Sequence, residues 1–269
     1  MQNKFSVGQE VFFIHNKVVI EQIGNTVENK IKYYVRQTDV NLPMWVLEDD
    51  ISPASSFNLQ KQIFNKTSPH LTVVDNFFKN PDTIRKMALE QDYHEDIRWY
   101  KGKRTKERFL WPFLKEEFER LLNSNIDGWL SQIANGCFQI TGFQDPLVYH
   151  SDAQNYAAAI YLTPEAPISA GTSFWKSKLH GCRRPPAHPL EFEKFGSAEL
   201  CEKADSEIYN QYNFLHSDNW ELVDKVGAVY NRLAIWDAKL IHSASTYEGL
   251  DGSETDKARM VQLFFFNIS

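Results

Sequence analysis

Between Phe5 and Ser52 the apolar residues come in short runs rich in β-branched and aromatic side chains: Val11-Phe12-Phe13-Ile14, Val18-Val19-Ile20, Lys32-Tyr33-Tyr34-Val35-Arg36 and Trp45-Val46-Leu47. Turn-forming residues separate them at His15-Asn16, Gly24-Asn25 and Asn41-Leu42-Pro43. Runs this short, interrupted this often, predict strands, so residues 1–52 read as a small all-β module. Ser52-Pro53-Ala54-Ser55-Ser56 has the composition of a linker, placing a connection over 53–70 and a larger domain over 71–269. The competing reading is that these first strands extend the sheet of the larger domain.

Leu71-Thr72-Val73-Val74 reads as the strand that enters the larger domain. Asn80-Pro81-Asp82 then opens a helix, with Asn80 as N-cap and Pro81 in the first helical position, and Ile84, Met87 and Ala88 form its apolar stripe. A second helix is predicted from Trp111-Pro112 to Leu122, with Phe113, Phe118, Leu121 and Leu122 on one face. From Cys137 onward the pattern becomes strand-like: Phe138–Ile140, Leu147–Tyr149, Ala157–Leu162, Gly171–Trp175, Ala228–Tyr230, Arg232–Trp236 and Val261–Phe266. Helices followed by a run of strands imply α+β, with helices packed on a β-sandwich or barrel. Residues 176–223 interrupt the strands with charge and proline, including Arg183-Arg184-Pro185-Pro186. They predict an excursion outside the core, a lid or surface loop with one short helix near Glu202–Gln211.

Composition narrows the picture. With 42% hydrophobic and 14% aromatic residues the chain can bury a core, and its net charge of −6 gives no general attraction to nucleic acid. Cys137, Cys182 and Cys201 are widely spaced and odd in number, which reads as reduced thiols and a cytoplasmic compartment. No apolar run is long enough for a membrane span, and Met1-Gln2-Asn3-Lys4-Phe5 lacks a signal-peptide core.

The candidate chemistry lies in His150-Ser151-Asp152, His242 and Arg259. Two imidazoles and a carboxylate are the ligand set that holds non-haem Fe(II) with neighbouring positions open. An arginine behind them suits a bidentate grip on a carboxylate. An isolated HxD is weak, because chance produces it often. Here His150 and Asp152 follow a strand-like run and, two residues apart, project to one side. His242 closes the strand-like segment that starts at Asn231, and Arg259 starts the last strand.

These motifs, with Ile160-Tyr161-Leu162-Thr163 and Ala170-Gly171-Thr172-Ser173-Phe174, resemble the double-stranded β-helix of the Fe(II)- and 2-oxoglutarate-dependent dioxygenases, in the prolyl-hydroxylase-like branch. The resemblance covers residues 137–266. The family's usual Gly-Gly is Ala170-Gly171 here, and the excursion has no counterpart. The first module resembles an SH3-like barrel, opening with Val7-Gly8-Gln9-Glu10-Val11 and closing with Trp45–Ile51.

The resemblance implies a jelly-roll or cupin-like domain buttressed by helices, with His150, Asp152 and His242 holding Fe(II). Arg259 would pair with the far carboxylate of 2-oxoglutarate, and Tyr161 would hydrogen-bond the same group. Gln139 and Asn231 would also line the pocket, and Thr172 would either face it or simply pack. The implied reaction hydroxylates a peptidyl or small-molecule substrate with O2, releasing succinate and CO2, with ascorbate as an accessory reductant. A carboxylate at 152 favours hydroxylation, whereas Gly or Ala there would leave room for halide. Two alternatives stay open: an oxygenase acting on nucleic acid, docked through the basic run Lys101–Arg108 and the small β module, and a cupin-like barrel that binds without turnover. That run, beside Trp99 and Tyr100, otherwise reads as a solvated loop face. The remaining histidines, His15, His70, His94, His180, His188 and His216, have no ligand spacing, although His180 and His188 lie where the excursion could approach the site.

Overall fold

The computed structural model describes residues 5–13, 16–23, 32–37, 43–47, 51–53, 70–95 and 102–269. The chain falls into two compact units, Met1–Ser68 and Pro69–Ser269. The expected turns at His15, Gly24-Asn25 and Asn41-Leu42, the linker from Ala54 onward, and Trp99, Tyr100 and Lys101 lie outside the described residues.

In the first unit β1 (Glu10–Phe13), β2 (Asn16–Ile23), β3 (Lys32–Gln37), β4 (Pro43–Leu47) and β5 (Ile51–Pro53) form an antiparallel sheet in the order β4-β3-β2-β1-β5. Asn16 and Pro43, expected in turns, instead open β2 and β4. Pro43 fits there because the first residue of an edge strand can lack an N–H. Among the described residues β4 and β5 remain at opposite edges, so the pairing is that of a sheet with no closing pair.

The second unit carries β6 (Leu71–Val74), α1 (Pro81–Leu89), β7 (Tyr93–Glu95), β8 (Lys103–Thr105), α2 (Pro112–Leu122), β9 (Ile126–Asp127), β10 (Phe138–Thr141) and β11 (Tyr156–Tyr161). It continues with β12 (Thr172–Ser177), α3 (Ala198–Tyr209), β13 (Trp220–Val226), β14 (Leu233–Asp237), β15 (His242–Ala244) and β16 (Arg259–Ile268). Its larger sheet runs β6-β14-β11-β16-β10-β8-β7, with β9 also paired to β16, and its smaller sheet runs β13-β12-β15.

Alternation along the strands gives the larger sheet two buried faces. Ala158 and Ile160, Leu233 and Ile235, and Met260, Phe264 and Phe266 pack toward the helices in one cluster with Leu114, Phe118 and Trp129. Phe118 meets Phe264 edge-on at 5.0 Å between ring centroids, and Trp129 stacks on Phe264 at 5.6 Å. Ala157, Ala159 and Tyr161, Ala234 and Trp236, and Val261 and Leu263 turn to the other face, where they join Phe174 of the smaller sheet. A period of two has put large rings on one face of this sheet and several alanines on the other.

The first two helices start where the prolines put them. Asn80 makes no side-chain cap, so the fixed φ of Pro81 opens α1 unaided. In α2 the buried stripe is Leu114, Phe118 and Leu122, while Phe113, expected inward, is 48% exposed and stacks on Trp111. Residues four apart share a helix face, and 114-118-122 outcompetes the stripe expected from 113.

The strand expectations need three corrections. Leu147–Tyr149 forms no regular strand; Tyr149 N–H bonds to Phe214 O, leading to a single bridge at His150. Ala228–Tyr230 is a turn rather than a strand, because Asn231 takes a left-handed φ of 62°. The Asn231 side chain accepts from Phe78 N–H at 2.8 Å and donates to Phe78 O at 2.9 Å, clamping the segment between β6 and α1. Finally, Trp220–Val226 is a strand although its first part fell within the expected excursion. Its five middle residues are exposed, so hydrophobic periodicity could not reveal it.

Gly171 sits where β12 meets β13 with no room for a side chain: a Cβ would lie 1.7 Å from Val226 O. Gly171→Ala is therefore expected to lower unfolding stability by at least about 3 kcal/mol, the upper range for overpacking, measured by urea denaturation against wild type.

Candidate metal centre

His150 and His242 are joined through the backbone. His150 N–H bonds to His242 O at 3.0 Å and His242 N–H to His150 O at 2.7 Å, an antiparallel bridge beside β15. His242 opens β15 rather than closing the preceding strand, because β14 ends at Asp237 and the chain turns through Leu240 N–H to Asp237 O. Asp152 is placed by its own N–H bonding to Ala238 O at 2.8 Å.

Each imidazole is fixed by the carbonyl two residues before it. His150 Nδ1 lies 2.9 Å from Val148 O, and His242 Nδ1 lies 2.7 Å from Leu240 O. A carbonyl can only accept, so both Nδ1 atoms carry the proton and both Nε2 atoms present a lone pair in the neutral ring. Those lone pairs face a carboxylate, with His242 Nε2 3.2 Å from Asp152 Oδ2 and His150 Nε2 3.6 Å from Oδ1. Acceptors turned toward one another at these distances can share a cation. One divalent ion satisfies all three at once, and the three ligand atoms lie within 4.8 Å of one another. Among the described residues no other group of three such side chains forms. Trp236 meets the His242 ring in a T-shaped contact, 5.2 Å between centroids, and helps hold its plane.

Arg259, the first residue of β16, is 6% exposed. It donates through Nε to Ala170 O at 2.8 Å and through one terminal nitrogen to Gly171 O at 3.2 Å, and its Cζ lies 5.4 Å from the centroid of the Tyr161 ring. Among the described residues no carboxylate stands within ion-pair distance of it. A buried guanidinium without a counter-anion is costly unless a ligand supplies one. One cavity is lined by Arg259, His150 and His242 together, with Gln139, Thr172 and Trp236 between them. The lining comes from both sheets, and the small Ala159 contributes to the room within it.

The other candidates separate. Gln139 and Thr172 line the cavity. Tyr161 stands behind it: its hydroxyl bonds to Thr172 Oγ1 at 2.7 Å, and burial pushes its phenol pKa up, with the Arg259 charge opposing. Asn231 is not brought to the cavity, since its amide is committed to Phe78. His180 pairs with Glu207 at 2.8 Å, His188 accepts from Leu190 N–H, and neither lines the cavity. Arg184 of the excursion is buried on Asp237 at 2.7 Å and is a structural tie.

A wider cleft of about 810 Å3 opens onto His150 and Asp152. Sequence reasoning missed most of its walls. Arg104 and Lys106 belong to the basic run read as a solvated loop, and His94 carried no signal. Tyr209 at the end of α3 and Phe214 just beyond it come from the excursion, which therefore forms part of the site. Tyr247, buried near Arg259 and lining the inner cavity, was also missed. Only cross-strand register and the path of the excursion bring these residues in, and neither shows in local sequence.

Among solved structures the chain is similar to HygX from Streptomyces hygroscopicus with nickel, 2-oxoglutarate and hygromycin B bound, at 11% identity and a TM-score of 0.43, covering 77% of this chain and 86% of that one. It is also similar to an N-substituted L-amino acid dioxygenase from Burkholderia ambifaria AMMD, at 8% identity and a TM-score of 0.32, covering 87% of this chain and 92% of that one. At this distance no residue role passes from those proteins to this one. No curated protein matches the sequence significantly. A family model does match, over residues 55–260, which include His150, Asp152, His242 and Arg259: the chain belongs to DUF6445, a family of unknown function.

Proposed function

We propose that this protein is an Fe(II)- and 2-oxoglutarate-dependent dioxygenase that hydroxylates a small-molecule or peptidyl substrate. The observation that carries the reading is one cavity lined by both histidines of a two-histidine, one-carboxylate cluster and by a buried arginine without a counter-anion among the described residues. The balanced reaction converts a substrate C–H, O2 and 2-oxoglutarate to C–OH, succinate and CO2. Held by His150, Asp152 and His242, Fe(II) supplies the redox chemistry that couples O2 to decarboxylation of the 2-oxo acid.

The chain's own residues do the rest. Val148 O and Leu240 O keep both rings in the ligating tautomer before any metal arrives. Ala170 O and Gly171 O aim the Arg259 guanidinium, which receives the distal carboxylate of the co-substrate. Thr172, with Tyr161 bonded behind it, offers a hydroxyl beside that carboxylate. Apolar walls from Val261, Leu263 and Phe265 keep bulk water from the reacting face. The finer assignments, a double-stranded β-helix of the prolyl-hydroxylase-like branch and an SH3-like first module, are supported by the order of the sequence motifs alone. A cleft of about 810 Å3 falls in the usual range for small-molecule sites, which favours a small substrate or a short peptide segment over duplex nucleic acid.

The purified protein, loaded anaerobically with Fe(II) and then given O2 and 2-oxoglutarate, is expected to release succinate, assayed by mass spectrometry. His150→Ala is expected to reduce that release by more than roughly a hundredfold, beyond the range typical of residues that only support a ligand. Succinate release that is indifferent to metal or to this substitution would overturn the reading. Arg259→Ala is expected to raise the apparent KM for 2-oxoglutarate by about ten- to a hundredfold, the loss of a charge-assisted bidentate pair. An unchanged KM would remove Arg259 as the anchor.

A further inference from the structure

The inner cavity has a buried donor without an acceptor among the described residues. Trp236 on β14 is 4% exposed and lines the cavity together with Arg259, His150 and His242. Its indole Nε1 is buried and makes no hydrogen bond. Thr172 and Ser243, hydroxyl-bearing neighbours in the same wall, are already paired. Thr172 bonds to the Tyr161 hydroxyl, and Ser243 donates to Ala244 O and accepts from the Trp175 indole. An indole N–H can only donate, and a buried donor left unmade carries its full desolvation cost. A phenylalanine would serve packing without that cost, so packing alone does not account for the indole.

The register sets this indole and Arg259 at opposite ends of one strand. Trp236 stands opposite Ala157 near the start of β11, and Tyr161 at its end stands opposite Val261. Arg259, two residues before Val261, lies over the Tyr161 ring. Residues 157, 159 and 161 share a face, and the small Ala159 between the two ends leaves room there. The smaller sheet agrees, since His242 stands opposite Phe174 whereas Arg259 is tied to Ala170 and Gly171. The indole end is the triad end, because Trp236 meets the His242 ring directly. One cavity thus has an indole N–H beside the metal ligands and a guanidinium at its other end.

From this placement we infer that the Trp236 N–H is the second anchor of the cavity's ligand. It donates to the carboxylate at the triad end, while Arg259 holds the carboxylate at the other. In naming that ligand 2-oxoglutarate, the inference rests on the function proposed above. The pair of anchors selects a short dicarboxylate, because a molecule with one carboxylate leaves one of the two donors bare. T-shaped contacts with His242 and with Phe174, the latter at 6.1 Å, already hold the indole. Little side-chain freedom is therefore lost when the ligand binds.

The test loads the full chain with redox-inert Zn(II) and compares 2-oxoglutarate with 4-oxopentanoate, in which a methyl replaces the carboxylate beside the oxo group. Trp236→Phe removes the N–H. Should that variant not fold, the isostere benzothienylalanine at position 236, with sulfur in place of N–H, keeps the ring shape. By calorimetry, loss of the donor is expected to weaken 2-oxoglutarate about tenfold, the size of a hydrogen bond to a charged group, and 4-oxopentanoate by less than about twofold. In 15N-labelled wild type, the indole proton resonance missing from the variant is expected to move downfield with 2-oxoglutarate and to stay in place with 4-oxopentanoate. That resonance decides alone if 4-oxopentanoate binds too weakly to titrate. Unchanged 2-oxoglutarate affinity, an equal loss for both ligands, an unmoved resonance at saturation, or no saturable binding of 2-oxoglutarate would each overturn the inference. Succinate release with an unmoved resonance sinks the donor alone; a moved resonance without succinate release keeps the donor and sinks the oxygenase reading.

Discussion

The second unit depends on one rung of backbone hydrogen bonds between His150 and His242. It joins residues far apart in sequence and sets two rings 4.4 Å apart between centroids. Each ring is turned by the carbonyl two residues before it, so the extended backbone that makes the rung also sets the tautomer. Asp152 then completes a cluster of three electron-pair donors. The reciprocal bonds, the T-shaped contact with Trp236 and the Asp152 N–H to Ala238 O bond hold that cluster in place.

Much of this was legible in the chain. Arg259, Val261, Leu263 and Phe265 alternate with Met260, Gln262, Phe264 and Phe266, and that period of two separated cavity lining from helix-facing core. The HxD spacing put His150 and Asp152 on one side, and both prolines marked helix starts correctly. What was not legible has a common cause: long-range pairing. Asn231 looked like a pocket residue because it begins the segment leading to His242, yet its left-handed backbone and double bond to Phe78 make it a clamp. Tyr161 was expected to touch the ligand and instead supports Thr172. Arg104 looked like one charge in a basic surface run, because nothing local says that it faces Gln139 across a ladder. β13 was hidden because five successive polar or exposed positions carry no alternation.

The site divides along the fold. The triad and Arg259 project from strands and from strand-like backbone, whose positions are fixed by neighbours on both sides. The outer cleft is built partly from the edge strand β7 and its neighbour β8 and partly from the stretch that includes α3. The two arginines mark the division, one deep and held by two carbonyls, the other at the junction of cavity and cleft. In such an arrangement rigid placement suits a ligand set, and a less constrained perimeter suits selection among ligands.

The excursion that supplies Tyr209 and Phe214 leaves the smaller sheet at the end of β12 and returns at the start of β13, and these two strands are direct neighbours. Its two ends are thus already held together by the ladder, with Ser177 opposite Trp220. A loop whose ends are pinned in this way changes length at small entropic cost, about 0.6 kcal/mol for each doubling. Evolution can therefore rewrite one wall of the cleft by insertion or deletion while the ladder, the triad and Arg259 stay in place. Diversity of substrate across relatives would then be recorded in the length of that segment sooner than in any residue of the sheets.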